Sequence, residues 1–288
     1  VGTAQADSIP NGSRWTGMTS RQPLEPDRKV TVPDLVLAKR AGQKITMLTA
    51  YDYPTAVLLD QAGIDCLLVG DSLGMVVQGL PDSLGVTLDQ MIYHGKMVTR
   101  AAQRALVVVD MPFMSYQVND DEAVRNAGRI LQETGAHAIK LEGGRSRVGA
   151  IRRMVDAGIA VMGHVGLTPQ SVRRLGGFKV QRDAEELLAD AKAVEEAGAF
   201  AVVVECVPAE LGRRVSQALG VPTIGIGAGN ACDGQVLVVN DLLGIEQTVR
   251  PRFVKRYAEL AQATRQAAEA YATEVRQGKF PGGEHGFA

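Results

Sequence analysis

A closed barrel of eight parallel strands, each followed by a helix, is the fold class this sequence predicts, on three observations. From Pro33 onward, short apolar runs alternate with longer amphipathic stretches about eight times, the pattern of a parallel sheet covered by helices. The runs are nearly continuous in Val, Ile and Leu, as strands buried on both faces are. The first run leads into "AYDYPTA", not into the GxGxxG turn that opens a doubly wound sheet. Eight strands therefore favour closure into a (β/α)8 barrel.

The elements follow in order. "ITMLTAYD" (45–52) reads as a strand and "PTAVLLDQAG" (54–63) as a helix stopped by glycine. "CLLVGDS" (66–72) precedes the helical stretch 87–103, and "ALVVVDMP" (105–112) precedes the helix 120–135. "AIKLEGG" (138–144) leads into "RVGAIRRMVDAG", and "AVMGHVG" (160–166) into the helix 184–198. "FAVVVECVP" (200–208) is followed by "AELGRRVSQALG"; "PTIGIGAG" (222–229) and "QVLVVND" (235–241) close the series. The long stretch 251–279 reads as a final covering helix with an extension for packing or assembly. Residues 1–32 are polar, lack the apolar core of a signal peptide, and are expected to form a flexible extension, leaving 33–288 as a single barrel domain.

Composition narrows the function classes. The 288 residues carry 31 basic and 32 acidic side chains, a formal charge of −1. No basic excess favours nucleic acid or an anionic membrane. No apolar run is long enough to span a bilayer. Cys66, Cys206 and Cys232 are far apart and show no ligand spacing, so they read as reduced thiols of a cytoplasmic protein. Cys66 and Cys206 lie in apolar runs and read as small hydrophobes.

In such a barrel the chemistry sits at the C-terminal ends of the strands. Those ends carry Asp71 and Ser72, Asp110, Lys140 and Glu142, His164, and Glu205. Four acids and one lysine thus converge on one mouth from different strands. Asp71, Asp110 and Glu142 are hard oxygen donors, which suits Mg2+; the competing reading is helix caps or rim salt bridges. Strand alternation puts Lys140 and Glu142 on one face. Lys140 either pairs with Glu142 or holds a substrate carboxylate. Glu205 follows three valines, and apolar surroundings make a carboxylate a stronger base for a proton next to a carbonyl. The alternative is a buried glutamate satisfied by backbone amides. Ser72 caps a helix or donates to a ligand. His164 on an apolar strand reads first as a satisfied core histidine, while His137 falls at the N-terminal, non-catalytic end of its strand.

The motifs "MLTAYDYPTA", "LLVGDSLGMVVQG", "KLEGG", "GHVGLTPQSV", "GGFKVQ", "ECVPAEL", "IGIGAGNACDGQVLV" and "GKFPGGEHGF", in this order, resemble the ketopantoate hydroxymethyltransferase family over nearly everything after Pro33. The resemblance implies a barrel of the phosphoenolpyruvate mutase/isocitrate lyase type, assembled as a large homo-oligomer, often a decamer. It implies transfer of a hydroxymethyl unit from 5,10-methylenetetrahydrofolate to 3-methyl-2-oxobutanoate, giving 2-dehydropantoate for pantothenate synthesis. By the same resemblance, Asp71, Asp110 and Glu142 form the Mg2+ site. Asp71, Ser72, Asp110 and Lys140 hold the oxo acid, Glu205 accepts the proton, and His164 helps to orient the substrate.

Two stretches depart from the family pattern. Gln181 runs directly into "RDAEELL", a few residues short of the usual form, which bears on the loop over the mouth. Gly85 stands where proline is usual. The nearest rival reading is a folate-independent, Mg2+-dependent oxo-acid lyase or mutase on the same barrel. Such enzymes carry a cysteine-containing loop such as "KKCGH", which this sequence lacks. A non-catalytic binding barrel is the third class, and the intact acid set argues against it.

Overall fold

The computed structural model describes residues 23–247 and 251–287. Eight strands form one closed barrel in sequential order, every neighbouring pair parallel. They are β1 (Ile45–Thr49), β2 (Cys66–Val69), β3 (Leu106–Asp110), β4 (Ala138–Glu142), β5 (Val161–Gly166), β6 (Ala201–Glu205), β7 (Thr223–Ile226) and β8 (Gly234–Leu237). The helices before β4 are α1 (Val32–Arg40), α2 (Tyr53–Gln61), α3 (Leu73–Val76), α4 (Leu88–Ala101) and α5 (Asp120–Thr134). Those after it are α6 (Val148–Asp156), α7 (Val172–Leu175), α8 (Ala184–Glu196), α9 (Ala209–Ala218), α10 (Val239–Leu242) and α11 (Leu260–Arg276).

Local chemistry accounts for the long helices. Asp52 caps α2 by accepting from the Thr55 N–H, and Asn119 caps α5 by accepting from that of Glu122, both at 2.8 Å. Thr87 and Gln90 form a reciprocal capping box at the start of α4. Helix α5 carries three acids in its first turn, where the helix dipole favours them, and stops at Gly135 in the left-handed conformation (φ +74°).

Alternation sorts the strand residues into two cores. Leu67, Val69, Val107, Val109, Ile139, Leu141, Val202 and Val204 face outward and pack with helix residues such as Met91, Ile130, Met154 and Val194. Cys66, Leu68, Leu106, Val108, Ala138, Met162, Ala201 and Val203 face inward. Leu24, Val30 and Leu35 join this inner cluster. The same parity carries Asp110, Lys140, Glu142, His164 and Glu205 into the interior at the upper ends of their strands.

Three expectations change. Residues 1–22 of the expected N-terminal extension lie outside the described residues, but 23–32 are built into the fold. Leu24 and Val30 are buried, the Val30 N–H donates to Arg104 O, and Lys29 Nζ donates to the carbonyls of Ala102 and Ala105. Residues 23–32 therefore belong with the barrel. The expected final covering helix spans only Leu260–Arg276 and contains no buried residue, so within this chain α11 covers nothing. No helix separates β7 from β8; the glycine-rich stretch between them turns directly.

Candidate active site

Neighbouring strands bring the inward charges level with one another. Asp110 is in register with Lys140, Glu142 with His164, and Glu205 with Gly166. Lys140 Nζ stands 3.0 Å from Asp110 Oδ1 and 3.3 Å from His164 Nδ1. On its other side His164 Nε2 lies 3.1 Å from Glu205 Oε2. Asp71 sits just past β2, and its backbone N–H donates to Asp110 Oδ2 at 3.0 Å. Asp71, Asp110, Lys140, Glu142, His164 and Glu205 therefore lie together, with Glu142 Oε1 3.6 Å from His164 Nδ1. Lys140 pairs with Asp110, not with Glu142 as the simple in-strand reading had it.

The local alternatives resolve as follows. Ser72 makes no side-chain cap; its Oγ instead pairs with the Tyr51 hydroxyl at 2.9 Å. Glu205 has a side-chain partner, His164, and its side chain keeps 16 % exposure, enough to meet a ligand entering the mouth. His164 is buried as a core histidine would be, yet both its nitrogens face charged groups of the site. An ammonium can only donate, so Nδ1 accepts from Lys140, while Nε2 faces Glu205 without a well-aligned hydrogen bond. His137 lies below β4, where its Nδ1 accepts from the Val107 N–H, away from the mouth as expected. Burial pushes the Cys206 thiol up to about 12 and the Cys66 thiol up as well, so neither is poised as a nucleophile.

The electrostatics are those of a site overcrowded with negative charge. Burial pushes the Asp110 carboxyl up to about 7; Lys140 pulls it down and Asp71 pushes it further up. Burial, followed by Asp71, holds Glu142 well above the ordinary carboxylate range. Burial disfavours the Lys140 ammonium, but Asp110, Glu142 and Asp71 together outweigh it, and its pKa is raised. His164 is lowered by burial and then by Lys140. One ammonium does not offset three buried acids.

Gln170, to which the sequence reading assigned no role, ties this cluster together. It lies in the short 3-10 turn after β5 and is buried. Its backbone N–H donates to Glu142 Oε2 at 3.0 Å, and its Nε2 donates to Asp71 Oδ2 at 2.9 Å and to Met111 O at 3.0 Å. The amide orientation is set by Tyr116, whose hydroxyl donates to Gln170 Oε1 at 2.6 Å, and by Gln117 Nε2 at 3.0 Å. Gln170→Leu is expected to cost about 1–3 kcal/mol, because it strips Asp71 and Tyr116 of partners without exposing them. Gln170→Glu, which sets a fourth carboxylate against Asp71, should cost more. Urea unfolding of both variants measures this, and equal stability of all three proteins would contradict the clamp.

Gln170 also bears on the expected Mg2+ site. Among the described residues no three His, Cys, Asp or Glu side chains make a ready-made metal cage; the Gln170 amide reaches Asp71 while its backbone holds Glu142. The donor chemistry nevertheless fits a hard cation. Asp110 Oδ1 is buried without a well-aligned hydrogen-bond donor, and Mg2+ typically takes only one or two protein carboxylates.

Residues 29–283 match the family model described as ketopantoate hydroxymethyltransferase. The chain belongs to that family. Among curated relatives of this ketopantoate hydroxymethyltransferase family member, the 3-methyl-2-oxobutanoate hydroxymethyltransferase of Moorella thermoacetica (strain ATCC 39073 / JCM 9320) is 59 % identical over 263 residues, covering 90 % of this chain and 98 % of the relative. That of Syntrophus aciditrophicus (strain SB) is 56 % identical over 264 residues, covering 90 % and 97 %. The barrel is similar to that of 2,3-dimethylmalate lyase, a phosphoenolpyruvate mutase/isocitrate lyase superfamily member (TM-score 0.57, 19 % identity, 89 % of this chain and 91 % of that one). It is also similar to that of phosphonopyruvate hydrolase (TM-score 0.58, 15 % identity, 86 % and 87 %). These likenesses establish the (β/α)8 class expected from the strand count.

Proposed function

We propose that this family member transfers a hydroxymethyl unit from 5,10-methylenetetrahydrofolate to 3-methyl-2-oxobutanoate, giving 2-dehydropantoate for pantothenate synthesis, with Glu205 as the proton acceptor. The observation that carries this reading is the line Asp110–Lys140–His164–Glu205. It sets a buried cation and a partly exposed base on opposite sides of one imidazole.

Lys140 holds the oxo-acid carboxylate, with Ser72, positioned by Tyr51, as a further donor. Asp71 and Asp110 would hold Mg2+, with Glu142 behind them, and the ion supplies Lewis-acid polarisation of the oxo group when bound. Glu205 removes the C3 proton, and the His164 imidazole orients the Glu205 carboxylate from its far side. Water adds to the folate methylene and tetrahydrofolate leaves, giving a one-carbon unit at the formaldehyde level; the enolate carbon bonds to it, and its oxygen takes back the proton held by Glu205.

The proposal extends to setting and assembly. Among the described residues no helix is long and apolar enough to cross a membrane, which is consistent with a cytoplasmic enzyme. A homo-oligomer, a decamer by family likeness, would give α11 and its exposed Tyr271 and Val275 a partner.

The test is exchange at C3 of 3-methyl-2-oxobutanoate in deuterium oxide with Mg2+, followed by product formation on adding 5,10-methylenetetrahydrofolate. Exchange alone, with product on adding folate, is expected. Oxo-acid cleavage without folate would instead place the chain among the lyases, and no reaction at all would overturn both readings.

A further inference from the structure

Among the described residues, Met114 and Cys206 are the non-glycine residues with a positive φ, at +67° and +49°. A residue with a Cβ is rarely found there unless its surroundings hold it, and such positions cluster at functional sites. Cys206 directly follows Glu205, the last residue of β6. Three residues, Cys206 to Pro208, separate that strand from α9.

Both peptides that flank Cys206 are fully engaged. Glu205 is in register with Gly166 of β5 and with Ile226 of β7. Its carbonyl accepts from the Leu167 N–H at 2.9 Å, and the Cys206 N–H donates to Ile226 O at 2.8 Å. The Cys206 carbonyl accepts from the Gln181 N–H at 2.9 Å, and the Val207 N–H donates to Gly227 O at 3.2 Å. Gly166, at φ +93°, allows the close approach of β5, since a Cβ there would collide with Glu205 O. The two peptide planes are thus fixed by their neighbours, and the left-handed bend at Cys206 joins them. All four bonds are main-chain, so none of them needs the thiol. His164 faces the Glu205 carboxylate without a well-aligned hydrogen bond, so that side chain does not by itself decide where the base points. The peptide just beyond Glu205 does, and Cys206 sets its angle to the next. A residue with a Cβ has one small left-handed well in which to do so, whereas glycine would let the planes pivot.

We propose that Cys206 is a positioning residue for the proton transfer: its left-handed backbone locks the end of β6 at the angle that aims the Glu205 carboxylate at C3 of the bound oxo acid. This rests on the reading of Glu205 as the base. The device is the Cβ and the restricted φ, not sulfur chemistry. Alanine keeps both. Glycine keeps the fit and loses the restriction.

The test compares Cys206→Gly, Cys206→Ala and Cys206→Asn by C3 exchange of 3-methyl-2-oxobutanoate in deuterium oxide with Mg2+, and by urea unfolding. Cys206→Gly should lower kcat for exchange by about ten- to a hundredfold, the cost of misplacing a reacting group by up to about an ångström. Its oxo-acid KM and its unfolding midpoint should stay near the parent's, because no substrate contact is lost and a φ of +49° suits glycine. Cys206→Ala should exchange at nearly the parent rate. Cys206→Asn, which keeps a Cβ and tolerates the left-handed region, should exchange well above the glycine variant. Parent-rate exchange in Cys206→Gly overturns the proposal and leaves Glu205 as the base. An equal loss in Cys206→Ala would give the role to the thiol, and a loss that tracks a lowered midpoint would make it structural; either overturns the proposal. Parent-rate exchange in Glu205→Gln would instead strike the base assignment itself, and the positioning role with it.

Discussion

Glu205→Gln is expected to reduce C3 exchange of 3-methyl-2-oxobutanoate by roughly 10²–10⁴-fold, the usual contribution of a positioned general base. The substitution keeps the shape of the side chain and removes only its ability to take a proton. Glu205 keeps partial exposure at the end of β6, and His164 Nε2 lies 3.1 Å from it. Asp71, Asp110 and Lys140 come from β2 to β4 and their ends, away from β6 in sequence order, so Mg2+ affinity, measured by titration calorimetry, should be retained. The two readouts separate a lost base from a damaged site. Exchange at the parent rate in this variant would end the proton-acceptor assignment.

Lys140→Met should have the largest effect on stability, about 3–5 kcal/mol, because it removes the cation from a buried cluster and leaves the acids uncompensated. Methionine fills nearly the same volume, so packing contributes little. The oxo acid should also lose its carboxylate partner, raising its KM at least about tenfold. Adding Asp110→Asn to this variant should recover part of the stability, since the amide needs no counter-charge, while leaving the KM high. Urea unfolding of the single and double variants decides it. A Lys140→Met protein that unfolds at the parent's midpoint would show that the ammonium does not balance these acids.

Much of the site was legible because a barrel obeys two simple periodicities. Alternation along "AIKLEGG" was enough to place Lys140 and Glu142 inside and Ile139 and Leu141 outside, and the structure has them so. The ends of the strands pointed to Asp71, Asp110, His164 and Glu205. The pairings were less accessible. Lys140 meets Asp110 across strands, and the core reading of His164 missed that it bridges the cation and the base.

Gln170 and Tyr116 had no local signal. Gln170 reaches Asp71 across 99 residues of chain and accepts from Tyr116 across 54, and neither motif spacing nor polarity announces such a bond. The one available hint was that Gln170 lies inside "GHVGLTPQSV", a stretch noticed for its likeness and not for its chemistry.

The amphipathic stretch after Pro251 shows the same division. Its periodicity announced a helix, and α11 is one, but periodicity states that a face is apolar without saying what lies against it. The sequence by itself determined the strands, the helices, the inward parity of the charged residues and the family. Only the tertiary structure decided which charges became partners, how Gln170 joins two acids, and that α11 stands off its own barrel. The reason is range. Backbone periodicity and capping act within a few residues, while ion pairs and hydrogen-bond networks depend on distances that exist only once the barrel has closed.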